Sequence, residues 1–233
     1  MPNHEEVYKN QAELYEKMIS VQPDLSGIIR EIRDFRKLDV VDLGAGTGRL
    51  SAFIAPEANS LIATDASESM LGRLEDKLSR LRADGCWRTV VADHRSLPIP
   101  DGSADLVVSG WSIGYLANSD QPGWRENLTR VLQEADRILR KDGTLVILET
   151  MGTGYESPYP PPFLHNYFRL LEEEYGFLHR WIRMDYQFAS QAEAEELTGF
   201  FFGDELVQQI RDHQWVRVPE CAGIWWKHKA GHR

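Results

Sequence analysis

The sequence predicts an α/β fold in which a doubly wound parallel sheet carries helices on both faces. Between residues 38 and 150, short strands rich in Val, Ile and Leu alternate with amphipathic helical segments. This alternation indicates a parallel sheet that is covered on both faces. The first of these strands also runs into a Gly44-x-Gly46 turn followed by a helical segment, which is the usual start of such a sheet.

The individual elements follow from apolar spacing and from turn residues. Helical spacing predicts helices within the first 37 residues, and Pro23 divides them into two segments. Five apolar runs then predict strands at residues 38–43, 60–64, 87–92, 104–109 and 144–149. Helices are predicted between these strands at residues 49–57, 67–83 and 122–139. Ser67 is the predicted N-cap of the second helix.

The last third of the chain differs in composition. Of the 24 aromatic residues, 16 lie in residues 151–233. Four prolines predict an extended connection over residues 155–162. Beyond it the pattern predicts helix, strand, helix and strand at residues 163–175, 178–188, 191–213 and 221–229. Since no polar linker interrupts the chain, residues 1–233 are expected to form one domain, with a core at 38–150 and an elaboration at 151–233.

Charge and composition narrow the classes of function. There are 26 basic and 36 acidic side chains, and the resulting net charge of −10 argues against sequence-independent nucleic-acid binding. No apolar run approaches the roughly 18–20 residues of a membrane span, and the first residues lack the pattern of a secretory signal. Cys86 and Cys221 show no CxxC spacing, and the seven histidines show no metal-ligand spacing. We therefore expect a cytoplasmic protein that acts on small molecules, with no metal site and no membrane partner.

The most informative segment is the glycine loop, residues 44–48. A strand that ends in Gly-x-Gly and opens a helix places main-chain N–H groups beside a ligand, and a side chain at Gly44 or Gly46 would block the approach. A dinucleotide fingerprint would need its third glycine at position 49, which is Arg49, and no Lys-Ser/Thr pair follows as in a P-loop. The loop therefore does not match the binding motifs for NAD or for nucleoside triphosphates. A tight turn without any ligand is the alternative.

Three acids accompany this loop. Asp42 stands two residues before the first glycine, Asp65 follows Gly44 by 21 residues at the end of the second strand, and Asp93 ends the third strand. The carboxyl ends of adjacent parallel strands are where such sheets bind ligands. Asp65 is therefore predicted to accept hydrogen bonds from ribose hydroxyls, with a helix cap as the alternative. Asp93 is predicted to accept from an adenine amino group.

Four segments carry a resemblance to a known family. Residues 40–50 (VVDLGAGTGRL), 61–71, 92–116 and 139–150 resemble the successive motifs of class I S-adenosylmethionine-dependent methyltransferases. The resemblance implies a Rossmann-like methyltransferase fold with a seven-stranded, mostly parallel sheet and an antiparallel last strand. It also implies S-adenosylmethionine as cofactor, S-adenosylhomocysteine as product, and a helical lid in residues 1–37.

The same resemblance assigns roles to individual residues. The loop Gly44, Ala45, Gly46 and Gly48, with Asp42 before it, would face the methionine part of the cofactor. The other predicted contacts are Asp65 at the ribose, Met70 at the adenosine, Asp93 and His94 at the adenine edge, and Ser109 at the methionine amino group. Ala66 and Tyr15, the latter on the lid, are also predicted to bind the cofactor.

The implied function is methyl transfer by in-line displacement to an unidentified small-molecule acceptor. No catalytic residue is assigned, although His94, Tyr115 and His165 are placed near the expected cleft. An RNA or protein methyltransferase is one alternative, disfavoured by the net charge and by Ser109-Gly110-Trp111-Ser112 in place of an Asn/Asp-Pro-Pro-Tyr/Phe motif. A non-catalytic regulatory protein that binds the cofactor is another. The assembly is expected to be a monomer or a homodimer.

Overall fold

A computed structural model describes residues 11–81 and 86–230. The helices in this part of the chain are α1 (Ala12–Ser20), α2 (Ser26–Ile32), α3 (Ser51–Ile54), α4 (Glu68–Arg80), α5 (Gly114–Ala117), α6 (Trp124–Ile138), α7 (His165–Glu173), α8 (Gln191–Phe202) and α9 (Asp204–His213). The strands are β1 (Asp39–Leu43), β2 (Ser60–Asp65), β3 (Cys86–Val91), β4 (Ala104–Gly110), β5 (Leu139–Thr153), β6 (Leu178–Arg183), β7 (Tyr186–Gln187), β8 (Arg217–Val218) and β9 (Glu220–His228).

The main sheet has seven strands in the order β3-β2-β1-β4-β5-β9-β6. Strand β1 pairs in parallel with β2 and β4, and Leu43 at its carboxyl end lies opposite Thr64 and Ser109. β3 pairs in parallel with β2, and β5 with β4. The sheet is mostly parallel with an antiparallel strand, so the predicted fold class is confirmed. The carboxyl ends of β1, β2 and β4 consequently meet at one edge.

The chain forms two compact units. Unit 1 consists of residues 1–24, 150–160 and 181–223, and unit 2 of residues 25–149, 161–180 and 224–233. Unit 2 contains the central strands, whose apolar side chains are fully buried as in other sheets covered on both faces, for example Val107, Val108 and Val146. The predicted division into one domain with a lid and an elaboration stays a prediction.

Unit 1 has its own apolar core. The core includes Met18 of α1, Leu197 of α8, Ile210 of α9 and Val218 of β8. Tyr15 packs against this core, and its ring centroid lies 5.3 Å from that of Phe201.

Several predicted elements differ in extent from the observed ones. The helix expected over residues 49–57 is only the four-residue α3, because the chain is still in turns up to Leu50. The helix expected over 191–213 is divided at Gly203, whose φ of +87° does not fit a helix. The start of the predicted N-terminal helical segment, residues 1–10, lies outside the described residues. Across residues 11–81 and 86–230, none of the helices has the length and apolar character needed to cross a bilayer.

Candidate functional site

The glycine loop of unit 2 is a tight turn held against the end of β2. Gly44, Gly46 and Gly48 have φ angles of +73°, +54° and +92°, which residues with a side chain rarely adopt. The N–H groups of Gly44 and Ala45 both donate to the Thr64 carbonyl, at 2.8 and 2.9 Å. The loop therefore needs its glycines for its backbone conformation, whatever it binds.

Asp65 joins this loop to the following helix. Its Oδ2 accepts from the Gly46 N–H at 2.9 Å, and its Oδ1 accepts from the Ser67 N–H at 2.8 Å. An ionised carboxylate offers about four acceptor positions, so one remains on each oxygen. The side chain is partly exposed. Asp65 is thus held in a fixed orientation with acceptors left for two donors of a ligand.

The main-chain N–H groups of the loop are hydrogen-bonded within the protein. The N–H groups of Gly44, Ala45, Gly46 and Gly48 all donate to acceptors within the protein. Helix α3 has only four residues, so its macrodipole adds little at the loop. These four N–H groups are therefore already used within the protein, and the short helix adds little attraction for a ligand.

The space beside each glycine of the loop differs. A Cβ added at Gly46 would meet only the Met70 Cε, at 3.4 Å, which is ordinary contact. A Cβ added at Gly44 would lie 1.8 Å from the Ser112 Oγ, and one at Gly48 would lie 2.4 Å from the Leu74 Cδ1 of α4. Gly46 therefore borders space next to Met70, whereas Gly48 is required for packing.

Asp42 and Ser109 lie beneath the loop. Asp42 is 1% exposed, and its Oδ2 accepts from the Ser51 hydroxyl at 2.6 Å. Burial, reinforced by the nearby Asp65 charge, raises the pKa of Asp42 to about 7. Ser109 is also buried and donates to the Leu43 carbonyl at 2.9 Å. Both side chains therefore support the turn from below, and the cofactor contacts predicted for Asp42 and Ser109 stay predictions.

The end of β3 presents one exposed acid and one buried imidazole. Arg95 donates to both carboxylate oxygens of Asp93, at 2.9 and 2.5 Å, and these bonds lower the pKa of Asp93 to about 2. His94 is buried, and its Nε2 lies 2.7 Å from the Ser112 Oγ. Burial lowers the pKa of His94, so the imidazole is neutral at pH 7. Asp93 is an ionised acceptor, and His94 orients Ser112.

Two residues at this edge of the sheet have roles that sequence reasoning missed. Trp111 follows β4 with a φ of +51°, which is a strained conformation for a bulky residue. The Arg49 guanidinium carbon lies 3.4 Å from the centroid of the Trp111 ring. Both side chains are partly exposed. The sequence shows an arginine directly after the loop and a tryptophan after β4. Their spacing does not predict that the two side chains stack.

Glu149 near the carboxyl end of β5 is a second residue that was missed. Its Oε1 accepts from the Gly114 N–H of α5 at 2.8 Å, and the side chain is buried beside Tyr167. Burial raises the pKa of Glu149 to about 8. A neutral carboxyl therefore holds the start of α5, two residues after Ser112.

We expect the stability of the chain to depend on this group. Because the pKa of Glu149 rises from 4.5 to about 8 on folding, its stabilising contribution is complete below pH 4.5 and is lost as pH rises through 8. Glu149→Gln keeps an acceptor for Gly114 and removes the titration. Relative to wild type, the variant should gain about 1.4 kcal/mol per pH unit across this window. Urea unfolding from pH 5 to pH 8.5 measures the difference.

The exposed Glu173→Gln on α7 is the matched control, since it removes an acid from the surface of the same unit. A constant difference between Glu149→Gln and wild type at every pH would contradict the raised pKa.

The structure divides the predicted residues into an accessible set and a buried set. The accessible residues, which are partly or fully exposed, are Gly44, Gly46, Asp65, Ala66 and Asp93. The buried residues are Asp42, Ala45, Gly48, Met70, His94 and Ser109. Tyr15 belongs to unit 1. Over the residues that the structure describes, no three His, Cys, Asp or Glu side chains are grouped as a metal site.

Sequence comparisons identify a family for the central part of the chain. A family model described as "Methyltransferase domain" matches residues 41–147. The chain is 31% identical over 121 residues, half of its length, to "Probable S-adenosylmethionine-dependent methyltransferase CRG1" of Saccharomyces cerevisiae. It is 27% identical over 121 residues, 51% of its length, to "Ubiquinone/menaquinone biosynthesis C-methyltransferase UbiE" of Escherichia coli. The alignments cover 38% and 47% of these relatives, less than half of each.

A structural comparison agrees on the fold. A crystal structure of a SAM-dependent methyltransferase from Aquifex aeolicus superimposes with a TM-score of 0.60, covering 92% of this chain and 96% of the other at 15% identity. The predicted fold is thereby confirmed, and the sequence matches support the predicted family and S-adenosylmethionine as the cofactor. Residues 41–147 of this chain match a methyltransferase domain, and together with these relatives the match supports the class I S-adenosylmethionine-dependent methyltransferase superfamily.

Proposed function

We propose that this chain transfers the methyl group of S-adenosylmethionine to a small-molecule acceptor. The observation that carries the proposal is the Asp65 carboxylate, which is bonded to Gly46 and keeps one acceptor position on each oxygen. Two adjacent ribose hydroxyls are donors that match these positions. The carboxylate stands at the end of β2, inside the segment that matches the family model.

The residues around Asp65 fit the remaining parts of the cofactor. The space beside Gly46 and the apolar Met70 suit the adenosine, and a side chain at Gly46 would fill it. Asp93 keeps an acceptor position for the adenine amino group, since Arg95 uses only part of the carboxylate. Ser112, placed against Gly44 and held by His94, is a polar contact for the methionine part.

When bound, S-adenosylmethionine supplies a methyl group on a sulfonium, which is already a good leaving group. The protein then contributes mainly position: it holds the acceptor in line with the methyl and excludes water. Trp111 and Arg49 are suited to this task, because a stacked indole and guanidinium form a flat, partly exposed surface after β4. Glu149 positions the start of α5 beside this surface.

Three observations support a small-molecule acceptor. The Escherichia coli relative is named for ubiquinone/menaquinone biosynthesis. The net charge of −10 disfavours RNA. Gly110-Trp111 stands where amide- and nucleobase-directed enzymes carry their Pro-Pro motif. Cytoplasmic location, a monomer or homodimer, and closure of the N-terminal lid stay predictions.

Methyl transfer can be tested directly. The purified chain is incubated with methyl-labelled S-adenosylmethionine and separate pools of phenols, carboxylates, amines, total RNA and a protein extract. We expect label in a small-molecule pool together with S-adenosylhomocysteine, and no transfer by Asp65→Ala. Label found only in RNA or protein would assign the chain to those alternatives. Tight S-adenosylhomocysteine binding without transfer in any pool would favour a regulatory protein.

A further inference from the structure

Unit 1 contains a buried carboxylate shared by two arginines. Asp185, between β6 and β7, is 4% exposed. It accepts from the Nε and Nη2 of Arg183 at 2.8 and 2.9 Å, and from the Nε of Arg217 at 2.6 Å. Burial favours the neutral acid, but the hydrogen bonds from Arg183, the Glu220 N–H and Arg217 outweigh it and lower the pKa of Asp185. The carboxylate is therefore ionised at pH 7.

The two arginines use their donors differently. Arg183 donates twice to Asp185, and its Nη1 donates to the Glu156 carbonyl at 3.2 Å, so all three of its nitrogens are bonded. Arg217 uses only its Nε, and among the described residues its two Nη groups have no hydrogen-bond partner. Its side chain is 66% exposed, whereas that of Arg183 is 34% exposed. Arg183 completes the buried ion pair with Asp185. Arg217 leaves its two Nη groups as donors for another molecule.

These side chains line a cavity of about 340 Å³ at the surface of unit 1, formed by Val21, Gln22, Pro23, Arg183, Asp185, Gln187 and Arg217. The volume falls within the range of small-molecule sites, roughly 300–1,000 Å³. Two cationic side chains and one anionic side chain leave the lining with a net charge of +1. The cavity is therefore positive within a chain whose net charge is −10.

The wall of the cavity is also held in place. Gln22 donates through its Nε2 to the Met184 carbonyl at 2.7 Å, and the Gln187 N–H donates to the Val21 carbonyl at 3.1 Å. These bonds join the segment after α1 to β7 and to the turn that precedes it. A ligand would meet a preorganised lining, which lowers the entropic cost of binding.

We propose that this cavity binds the carboxylate or phosphate group of a small molecule through the two Nη groups of Arg217. A guanidinium matches the two oxygens of either group, and Asp185 fixes the orientation of the guanidinium through its Nε. A structural ion pair would be complete with Arg183 alone, so the second arginine has no structural requirement in unit 1. The site does not depend on methyl transfer and is tested without cofactor.

The test uses calorimetric titration of the whole chain at constant ionic strength, with inorganic phosphate in one arm and benzoate in the other. Sodium chloride is the blank. We expect saturable binding of one probe, and the arm that saturates distinguishes a phosphate from a carboxylate ligand. Arg217→Gln should weaken binding at least tenfold. Arg211→Gln, which removes an exposed, ion-paired arginine of the same unit, should leave it unchanged.

Circular dichroism first checks that Arg217→Gln is folded. If it is not, Arg217→Lys keeps the charge, removes the two-oxygen match and should still weaken binding severalfold. Absence of saturable binding of either probe to the wild-type chain would overturn the proposal. An unchanged affinity in the folded Arg217 variant would overturn it equally, because binding would then occur elsewhere.

Discussion

Gly46→Ala should weaken the binding of S-adenosylhomocysteine at least tenfold while leaving the chain folded. The added Cβ meets only the Met70 Cε at 3.4 Å, so the fold has room for it. The methyl group would instead occupy the space assigned to the adenosine of the cofactor. Calorimetric titration of the variant and the wild-type chain with S-adenosylhomocysteine measures the loss.

The backbone strain of this substitution has a matched control. Gly46 has a φ of +54°, and an alanine there costs about 1–2 kcal/mol of stability. Gly102, before β4, has a φ of +57° with no atom within 4 Å of an added Cβ, so Gly102→Ala carries a similar strain without touching the loop. If both variants lost affinity equally, strain rather than a blocked site would explain the result, and the assignment of Gly46 would be wrong.

Asp65→Ala should have the largest effect on binding. It removes the acceptors that we propose for two ribose hydroxyls, and hydrogen bonds to a charged group contribute roughly 1.5–3 kcal/mol each. It also removes the bonds to the Gly46 and Ser67 N–H groups that shape the loop and the start of α4. We expect S-adenosylhomocysteine to bind about 100-fold more weakly, or worse, in the same titration.

Two other acids calibrate this result. Asp93→Ala removes an acceptor that Arg95 already shares, so its effect should stay below about tenfold. Asp101→Ala removes the same charge at the turn before β4, at the opposite edge of the sheet, and should have no effect. If Asp93→Ala lost as much affinity as Asp65→Ala, the expectation that the ribose contacts contribute more to binding than the adenine contact would be contradicted.

The sheet and the positions of the acids could be predicted because they depend on local sequence. Apolar runs mark the strands, and a residue that ends a parallel strand must lie at the carboxyl edge of the sheet. This is why Asp65 is the last residue of β2 and Asp93 follows the end of β3 by two residues. Gly44 and Gly46 have positive φ angles, which favour glycine, and the approach of a ligand to them stays a prediction.

Burial was the part that the sequence could not predict. Asp42 and Ser109 also stand near strand ends, yet the turn folds over them, and their hydrogen bonds run to Ser51 and the Leu43 carbonyl. The pattern of strand and loop in the sequence does not distinguish an exposed acid beside the turn from an acid that the turn buries. That distinction depends on which way the loop closes, a tertiary property.

Contacts between distant segments were missed for the same reason. Arg49 and Trp111 are 62 residues apart and stack only because β1 and β4 are neighbours in the sheet. Glu149 accepts from Gly114, 35 residues away, through the pairing of β4 with β5. Each of these residues could be located in the sequence, but the residue that it contacts could not be predicted.

The central claim is that the cofactor binds at the glycine loop and the ends of β2 and β3. Hydrogen exchange of the whole chain, with and without saturating S-adenosylhomocysteine, tests it most directly. We predict protection in peptides covering residues 44–48 and 65–70 and a smaller effect at 93–95, with no change at Gly102. Saturation by calorimetry accompanied by protection elsewhere, and none at residues 44–48 and 65–70, would contradict this location of the site.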